Sequence, residues 1–292
     1  MKKIAILTGG PGLEKEVAKR SATFFEKNLD REYDIYILPE KLNIFLENKD
    51  IYSLVIPIFH GEYGEDGKIF AFLDVLGIPT IGSNYYTHAI CLNKNHSNIL
   101  AKKGGLNIPD EYFPKHEHDF PKKYPVIMKP NRGGSSLYTY KIENDEDFSE
   151  KYRIMDKNID DLIMVQEYIL GDEYSISVVH DEILPIMMLE KNNSDDFFDY
   201  TSKYESETQM KETFPKVEDS LQQKLINVAQ RAQNIFDVKG YFRVDVLVRR
   251  DTVYFLEVNT IPGTSEVSIL PKAWRLTGRT DKQLIEKIIE IT

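Results

Sequence analysis

A chain of 292 residues, 41% hydrophobic and 29% charged, has the make-up of an ordinary soluble globular protein with room for two or three domains. A net charge of −10, a pI near 5.2 and six histidines with no clustered basic stripe argue against nucleic acid or an anionic membrane as main partner. The single cysteine, Cys91, can form no internal disulfide and lies between Ile90 and Leu92, so it reads as a small buried hydrophobe in a reducing cytoplasm. The first apolar run is too short for a signal segment, and no stretch reaches the length of a membrane-spanning helix.

Residues 4–8 read as a buried strand, and Gly9, Gly10 and Gly12 lead into a helix expected over 13–29. The glycines resemble a dinucleotide fingerprint only superficially, because Lys15 stands where a third is needed. Glu14 and Glu16 fall in the first helical turn, which favours carboxylates through the macrodipole; the same junction is where open α/β sheets place ligand groups. Strands follow at 33–38 and 52–59. The second runs into a glycine-punctuated loop from His60 to Gly67, then come a helix over 68–76 and a strand over 78–81. This alternation implies a mostly parallel sheet with His60 on a carboxyl-end loop. A lone histidine there is either a loop hydrogen-bonder or part of a binding loop, and the glycine spacing favours the binding loop.

One long helix is expected over 86–103, carrying Lys94 and closed by Gly104 and Gly105, with a domain boundary near it. Residues 124–129 form a strand ending in Lys129. Gly133, Gly134, Ser135 and Ser136 then precede a strand over 137–142. Such a turn offers N–H groups and hydroxyls to an anion, or is merely a flexible hairpin. No P-loop exists. A helix over 145–155 and a strand over 162–169 lead to Gly171 and Glu173, and 174–179 pairs with 183–189 over Asp181 and Glu182. Residues 191–211 are polar and aperiodic; a loop that long is an active-site lid or disordered. Capping-box patterns, Ser220 with Gln223 and Thr280 with Gln283, predict the starts of a helix over 221–236 and of a closing helix.

Near the end, two alternating runs, 241–248 and 255–259, read as an antiparallel hairpin. A three-residue loop of Arg250, Asp251 and Thr252 sets Asp245 opposite Glu257 and Arg243 opposite Asn259, with Leu256 and Val258 on the other face. A slip of one residue would part them. In that register the oxygens of Asp245, Glu257 and Asn259 converge beside Arg243. This suits Mg²⁺; equally, it describes a solvated face with a surface ion pair that stabilises little.

In combination, six patterns resemble the D-alanine–D-alanine ligases of the ATP-grasp superfamily, from the first strand to the last helix. They are Gly9-Gly10 with Glu14; His60-Gly-x-x-Gly-Glu-Asp-Gly67; Lys129-Pro with Gly134-Ser-Ser136; Asp199-Tyr-x-x-Lys-Tyr204; Gly240-x-x-Arg243-x-Asp245; and Glu257-x-Asn259 with Pro262-Gly263. Each is weak alone, but six in the right order are specific. The resemblance implies an α/β and α+β fold: an N-terminal parallel-sheet domain over 1–91 that binds substrate, followed by a two-lobed ATP-grasp fold over 92–171 and 172–292. ATP would lie between the lobes.

Carried over residue by residue, the resemblance gives Asp245, Glu257 and Asn259 to two Mg²⁺ ions, with Mn²⁺ as a substitute. It gives Lys94, Lys129, Ser136 and Lys203 to the ATP phosphates and lid, Gln166, Glu167 and Ile169 to the adenine pocket, and Glu173 to the ribose. Glu14 and His60 would meet the first D-alanine, Arg243 and the Gly263 N–H an oxyanion, and Ser268 and Ile269 the second substrate's carboxylate. Ser135, Tyr204 and Glu14 would form one hydrogen-bonded set. The implied product is D-alanyl-D-alanine for peptidoglycan, made by a cytoplasmic homodimer. D-serine or D-lactate ligation is the alternative, as is a weakly active homologue, because Tyr138 stands where the family has a loop glycine.

Overall fold

The computed structural model describes residues 3–11, 14–133, 138–190 and 211–290. Three sheets organise them. The first is parallel, ordered β2-β1-β3, with β1 (Lys3–Gly9), β2 (Tyr33–Leu38) and β3 (Tyr52–Ile58). Ile4, Ala5, Ile6 and Leu7 are all buried, as a parallel strand covered on both faces requires. The strand expected over 78–81 shrinks to a single bridge, Val55 to Thr80. Helices α1 (Lys15–Asn28), α2 (Leu42–Asn48) and α3 (Lys68–Val75) accompany this sheet.

The helix expected over 86–103 is two helices, α4 (Tyr85–Leu92) and α5 (Lys94–Lys103). Asn93 breaks it. Its backbone leaves the helical region at φ −84°, ψ 100°, and its side chain accepts from the His96 N–H to cap α5. An Asx side chain competing for backbone N–H groups is the physical reason.

A four-stranded antiparallel sheet follows, ordered β4-β7-β5-β6, from β4 (Glu111–Tyr112), β5 (Val126–Pro130), β6 (Tyr140–Ile142) and β7 (Ile163–Glu167). Helix α6 (Asp145–Asn158) packs on it through Phe148 and Met155. Tyr138 lies against the same core with φ 54°, in the left-handed region.

The third sheet is β11-β10-β8-β12-β13, with β9 paired to β8. Its strands are β8 (Asp172–Val179), β9 (Glu182–Ile183), β10 (Met187–Glu190), β11 (Lys211–Thr213), β12 (Tyr241–Arg249) and β13 (Thr252–Asn259). Helix α7 (Asp219–Phe236) buries Leu225, Ala229, Ala232 and Phe236 against it. Glu218, not Ser220, caps α7: its carboxylate accepts from the Ser220 and Leu221 N–H groups and also takes the Ser220 hydroxyl. The second capping box, Thr280 with Gln283, is formed and starts α9 (Asp281–Ile288), which follows α8 (Ile269–Arg275). These last helices share a core with the first sheet, where Phe25 and Phe59 lie in one cluster with Trp274 and Ile285. Each such side chain contributes roughly 1.5–3 kcal/mol. Of the expected lid, residues 191–210 lie outside the described residues and Lys211 begins β11.

The β12–β13 hairpin holds the predicted pairs, Asp245 with Glu257 and Arg243 with Asn259. The route differs. Arg249 pairs with Thr252, so the turn is Arg250 and Asp251 alone, with Arg250 at φ 57°. The register then shifts between Asp245 and Val246, leaving Leu256 as an extra residue in β13. This bulge restores the pairing a three-residue loop would have given. It also moves Leu256 off the core face, where Val253, Phe255 and Val258 are the buried residues.

Candidate active site

Asp245 is the most heavily bonded group on this face. Its Oδ1 accepts from Arg243 Nε at 2.8 Å and Ser175 Oγ at 2.5 Å; its Oδ2 accepts from Arg243 Nη2 at 2.7 Å and Asn259 Nδ2 at 2.9 Å. These four donors use all four lone-pair directions of the carboxylate. Ser175 was not anticipated as part of the site. The alternation of Ser175 and Ser177 in the run from Tyr174 to Val179 marks a polar face in the sequence, but only the β8–β12 register, which sets Ser175 opposite Asp245, shows what that face meets. Burial would depress Arg243, but Asp245, followed by Glu257 and Glu173, holds it charged far above the ordinary range.

Asn259 Nδ2 also donates to Glu257 Oε1 at 3.3 Å. With its nitrogen on two carboxylates, the amide turns its oxygen away from them. Lys94, 7% exposed, lies 3.5 Å from Glu257 Oε2 and donates to the Gly133 carbonyl at 2.7 Å. Burial alone would raise the Glu257 carboxyl, but Lys94, Lys129 and Arg243 together hold it below its usual value. Lys129, on β5, donates to Gln166 Oε1 at 2.9 Å; burial, then Lys94, pushes it down to about 8. The four-stranded sheet thus turns its cation toward β13. Glu65, Lys94, Gly133, Glu257, Asn259 and Thr260 line one pocket there.

The donor chemistry fits a hard cation. Among the described residues no group of three His, Cys, Asp or Glu side chains could hold an ion. Mg²⁺ needs only one or two carboxylates when phosphate oxygens and water complete its shell. Glu257 meets that requirement as it stands, whereas Asn259 brings its oxygen to a cation beside Glu257 only with the amide turned over, and Asp245 does so only when one of its four donors yields.

At the other end of the face, Glu14 ends the loop before α1, with its carboxylate packed over Gly61. Gly61 has φ 68°, a backbone that favours glycine, and a Cβ there would lie 2.5 Å from Glu14 Oε2 and push that carboxylate aside. The Gly61 N–H donates to Glu65 Oε2 at 2.8 Å. Burial, then Glu14, pushes the Glu65 carboxyl up to about 8. Sequence reasoning used Glu65 only as part of a motif; its position between Glu14 and the pocket of Glu257 makes it a site residue. His60 bonds Ser21 Oγ at 3.1 Å, and burial followed by Arg243 lowers it to about 4, so the ring is neutral. Ser21 Oγ also accepts from the Thr264 N–H, tying α1 to the loop after β13. Gly263 leaves room for Ser268 Oγ, which would lie 2.9 Å from a Cβ there.

Gln166 and Ile169 are buried, and Glu173 is close enough to act electrostatically on Lys129 and Arg243. Two predicted residues turn their side chains elsewhere. Glu167 pairs with Arg249 at 2.7 Å, and Ile269 packs with Met187 and Leu189, so each offers a ligand its backbone while those contacts hold. Ser135, Ser136, Lys203 and Tyr204 lie outside the described residues. Cys91 is buried, and burial raises its thiol far above the ordinary value, as expected of a small hydrophobe.

Residues 89–290 match the family model described as D-ala D-ala ligase C-terminus. The chain belongs to the D-alanine–D-alanine ligase family. The D-alanine–D-alanine ligase of Fusobacterium nucleatum is 31% identical over 293 residues, covering 99% of this chain and 98% of that one. The Bacillus anthracis ligase is 31% identical over 299 residues, with 99% and 96% covered. A crystal structure of the B. anthracis D-alanine–D-alanine ligase complexed with ATP superposes with a TM-score of 0.85 at 26% identity, covering 99% and 97% of the two chains. The VanG D-Ala:D-Ser ligase of Enterococcus faecalis shares the fold, with a TM-score of 0.80 at 24% identity and 99% and 98% covered. As in that family, the ligase is mixed α/β with an N-terminal parallel sheet, and none of its described helices is long and apolar enough to cross a membrane.

Proposed function

We propose that this protein joins two D-alanines into D-alanyl-D-alanine, converting ATP to ADP and phosphate, for peptidoglycan precursor synthesis. The observation that carries this reading is the single face on which Asp245, Glu257, Asn259 and Arg243 meet, with Lys94 and Lys129 beside it. The first D-alanine's carboxylate attacks the γ-phosphorus and ADP leaves, giving an acyl phosphate. The second D-alanine's amine, after losing a proton, attacks that carbonyl and phosphate leaves. Bringing an anionic carboxylate to a polyphosphate is the electrostatic obstacle. Lys94 and Lys129 offset it from two sides. Asp245, Glu257 and Asn259 would hold two Mg²⁺ ions, or Mn²⁺ in their place, which would supply the remaining neutralisation. Arg243 and the Gly263 N–H face the oxyanion, Glu14 takes the first ammonium with the neutral His60 nearby, and Ser268 with the Ile269 backbone takes the second carboxylate. Gln166, Glu167, Ile169 and Glu173 hold the nucleoside; Ser136 and Lys203 the phosphates; Ser135 and Tyr204, with Glu14, close the set. The enzyme works in the cytoplasm as a homodimer, for which exposed Val75, Tyr85 and Tyr86 on the adjoining α3 and α4 offer an apolar surface.

D-alanine is the expected acceptor because Tyr204 is a phenol, neutral up to a pKa of about 10. A histidine there would be partly cationic and would repel an incoming ammonium while tolerating D-lactate. Phosphate release is expected with D-alanine and ATP, exceeding that with D-lactate or D-serine as second substrate, and near background with no amino acid. Given D-alanine and D-lactate together from about pH 6 to about pH 9, the enzyme should form chiefly dipeptide, and Tyr204→His should shift product toward the ester, most at the acid end. Predominant depsipeptide from the wild type would refute the assigned acceptor.

Tyr138 bears on the same reaction. A left-handed backbone costs a residue with a Cβ roughly 1–2 kcal/mol, and here the ring's packing on the β5–β6 core offsets it. Tyr138→Gly removes both strain and anchor beside the glycine loop. The expected result is a KM for ATP raised about two- to fivefold, equivalent to a loss of under 1 kcal/mol. An unchanged KM and kcat would leave Tyr138 as a core residue only.

A further inference from the structure

The reaction described above uses no residue of α4, yet α4 carries a buried histidine bonded to Thr260, the residue that follows β13. His88 is 1% exposed, its ring stacked on Phe70 at 4.0 Å between centroids. Nδ1 lies 2.7 Å from Thr260 Oγ1, and Nε2 makes no hydrogen bond of normal geometry. Burial lowers the ring to about 3, with the Ser83 backbone only partly opposing, so it is neutral. In either tautomer the bond to Thr260 survives, because a hydroxyl donates or accepts.

The surroundings of α4 make this bond more than core filling. Thr87 Oγ1 donates to the Phe236 carbonyl at 2.9 Å, and the Lys239 N–H donates to Ser83 Oγ at 2.9 Å, so the start of α4 is fixed to the segment entering β12. Beyond the Asn93 break, Lys94 reaches Glu257 and Gly133 while its own N–H donates to the Asn131 carbonyl at 3.0 Å. The α4–α5 elbow therefore touches the end of β13 twice, at Glu257 through Lys94 and at Thr260 through His88. Asn259 lies between these two points. Thr260 is the first residue after β13 and has no ladder partner of its own.

We infer that His88 is a positioning residue for the nucleotide-and-metal face: by holding Thr260 it sets the backbone path from Glu257 to Thr260, and with it the direction in which the Asn259 oxygen and the Glu257 carboxylate present themselves. The inference rests on the site reading above. It predicts a role for the hydrogen bond itself rather than for the volume of the ring.

Three variants separate these. His88→Leu fills space without a polar atom, His88→Asn restores a donor and acceptor near Nδ1, and Thr260→Val removes the hydroxyl from the other side. The readout is binding, not turnover: the Mg²⁺ concentration that half-saturates ADP binding by calorimetry, with thermal stability and the KM for D-alanine measured alongside. His88→Leu and Thr260→Val should each raise that concentration about fivefold, as loss of an outer support does at metal sites, and the double variant should raise it no further than either single change. His88→Asn should stay within about twofold of wild type, and the KM of the first D-alanine should move less than twofold in all. Loss of affinity that is equal in Leu and Asn variants and follows the melting temperature would make His88 a core residue and overturn the inference. Unchanged Mg²⁺ dependence in Thr260→Val would do the same. Wild-type protein that binds ADP without any Mg²⁺ dependence would instead bring down the site reading, and the inference with it.

Discussion

Glu257→Gln should fold normally and lose about 10²–10³-fold in kcat, the scale on which single groups that stabilise transition-state charge are felt. Glutamine keeps the shape and the acceptor that meets Asn259 Nδ2, so the hairpin stays intact. What disappears is the negative charge at the meeting point of Lys94, Lys129 and Arg243. An amide oxygen binds Mg²⁺ far more weakly than a carboxylate, and the cation set loses the partner that balances it. The stability effect has a sign that can be checked. The Glu257 carboxyl is held below 4.5 in the folded protein, so its contribution is present above about pH 4.5 and fades as the pH falls through the folded value. The melting-temperature gap between wild type and Glu257→Gln should therefore be widest near neutral pH and narrow in acid. Near-wild-type turnover with unchanged Mg²⁺ dependence would show that the oxygens of this face hold no metal.

The face that carries this prediction is legible from alternation alone, and the path to it is not. Arg243, Asp245, Glu257 and Asn259 are polar residues at two-residue spacing in two apolar runs, and only one register brings them together. A bulge has no such mark. Leu256 is as apolar as its neighbours, and a two-residue turn with a bulge gives the same pairing at Asp245 as a three-residue loop without one. The break at Asn93 was hidden for a related reason: asparagine is tolerated inside helices and favoured at their caps, so the apolar spacing on either side decides nothing. Glu65, Ser175 and His88 depend on contacts distant in sequence, His88 with Thr260 being 172 residues apart. Composition identifies such residues as polar. Only the fold says what they face.

Arg243→Met should be the most damaging single change, costing about 3–5 kcal/mol of stability because it leaves the buried Asp245 carboxylate short of its principal partner. Turnover should fall about 10²–10³-fold as well, since Arg249, the other cation on β12, is six residues away and bonded to Glu167 and Tyr254. Arg243→Lys keeps the charge but not the two parallel bonds from Nε and Nη2, and should fall between wild type and Met. The occupancy of Asp245 adds a consequence that separates this account from simple core damage. In the wild type four donors fill the carboxylate, two of them from Arg243. Removing the guanidinium frees two of those lone-pair directions, on the carboxylate that pairs across the hairpin with Glu257. A divalent cation then finds a more open carboxylate and compensates a charge that is otherwise unpaired. Added Mg²⁺ should raise the melting temperature of Arg243→Met more than that of wild type, with the difference growing with concentration as ligand linkage demands. In Asp245→Asn/Arg243→Met that extra gain should vanish, because the unpaired carboxylate is gone. Equal Mg²⁺ responses in wild type and Arg243→Met would mean that Asp245 is a structural partner of Arg243 and not a metal ligand.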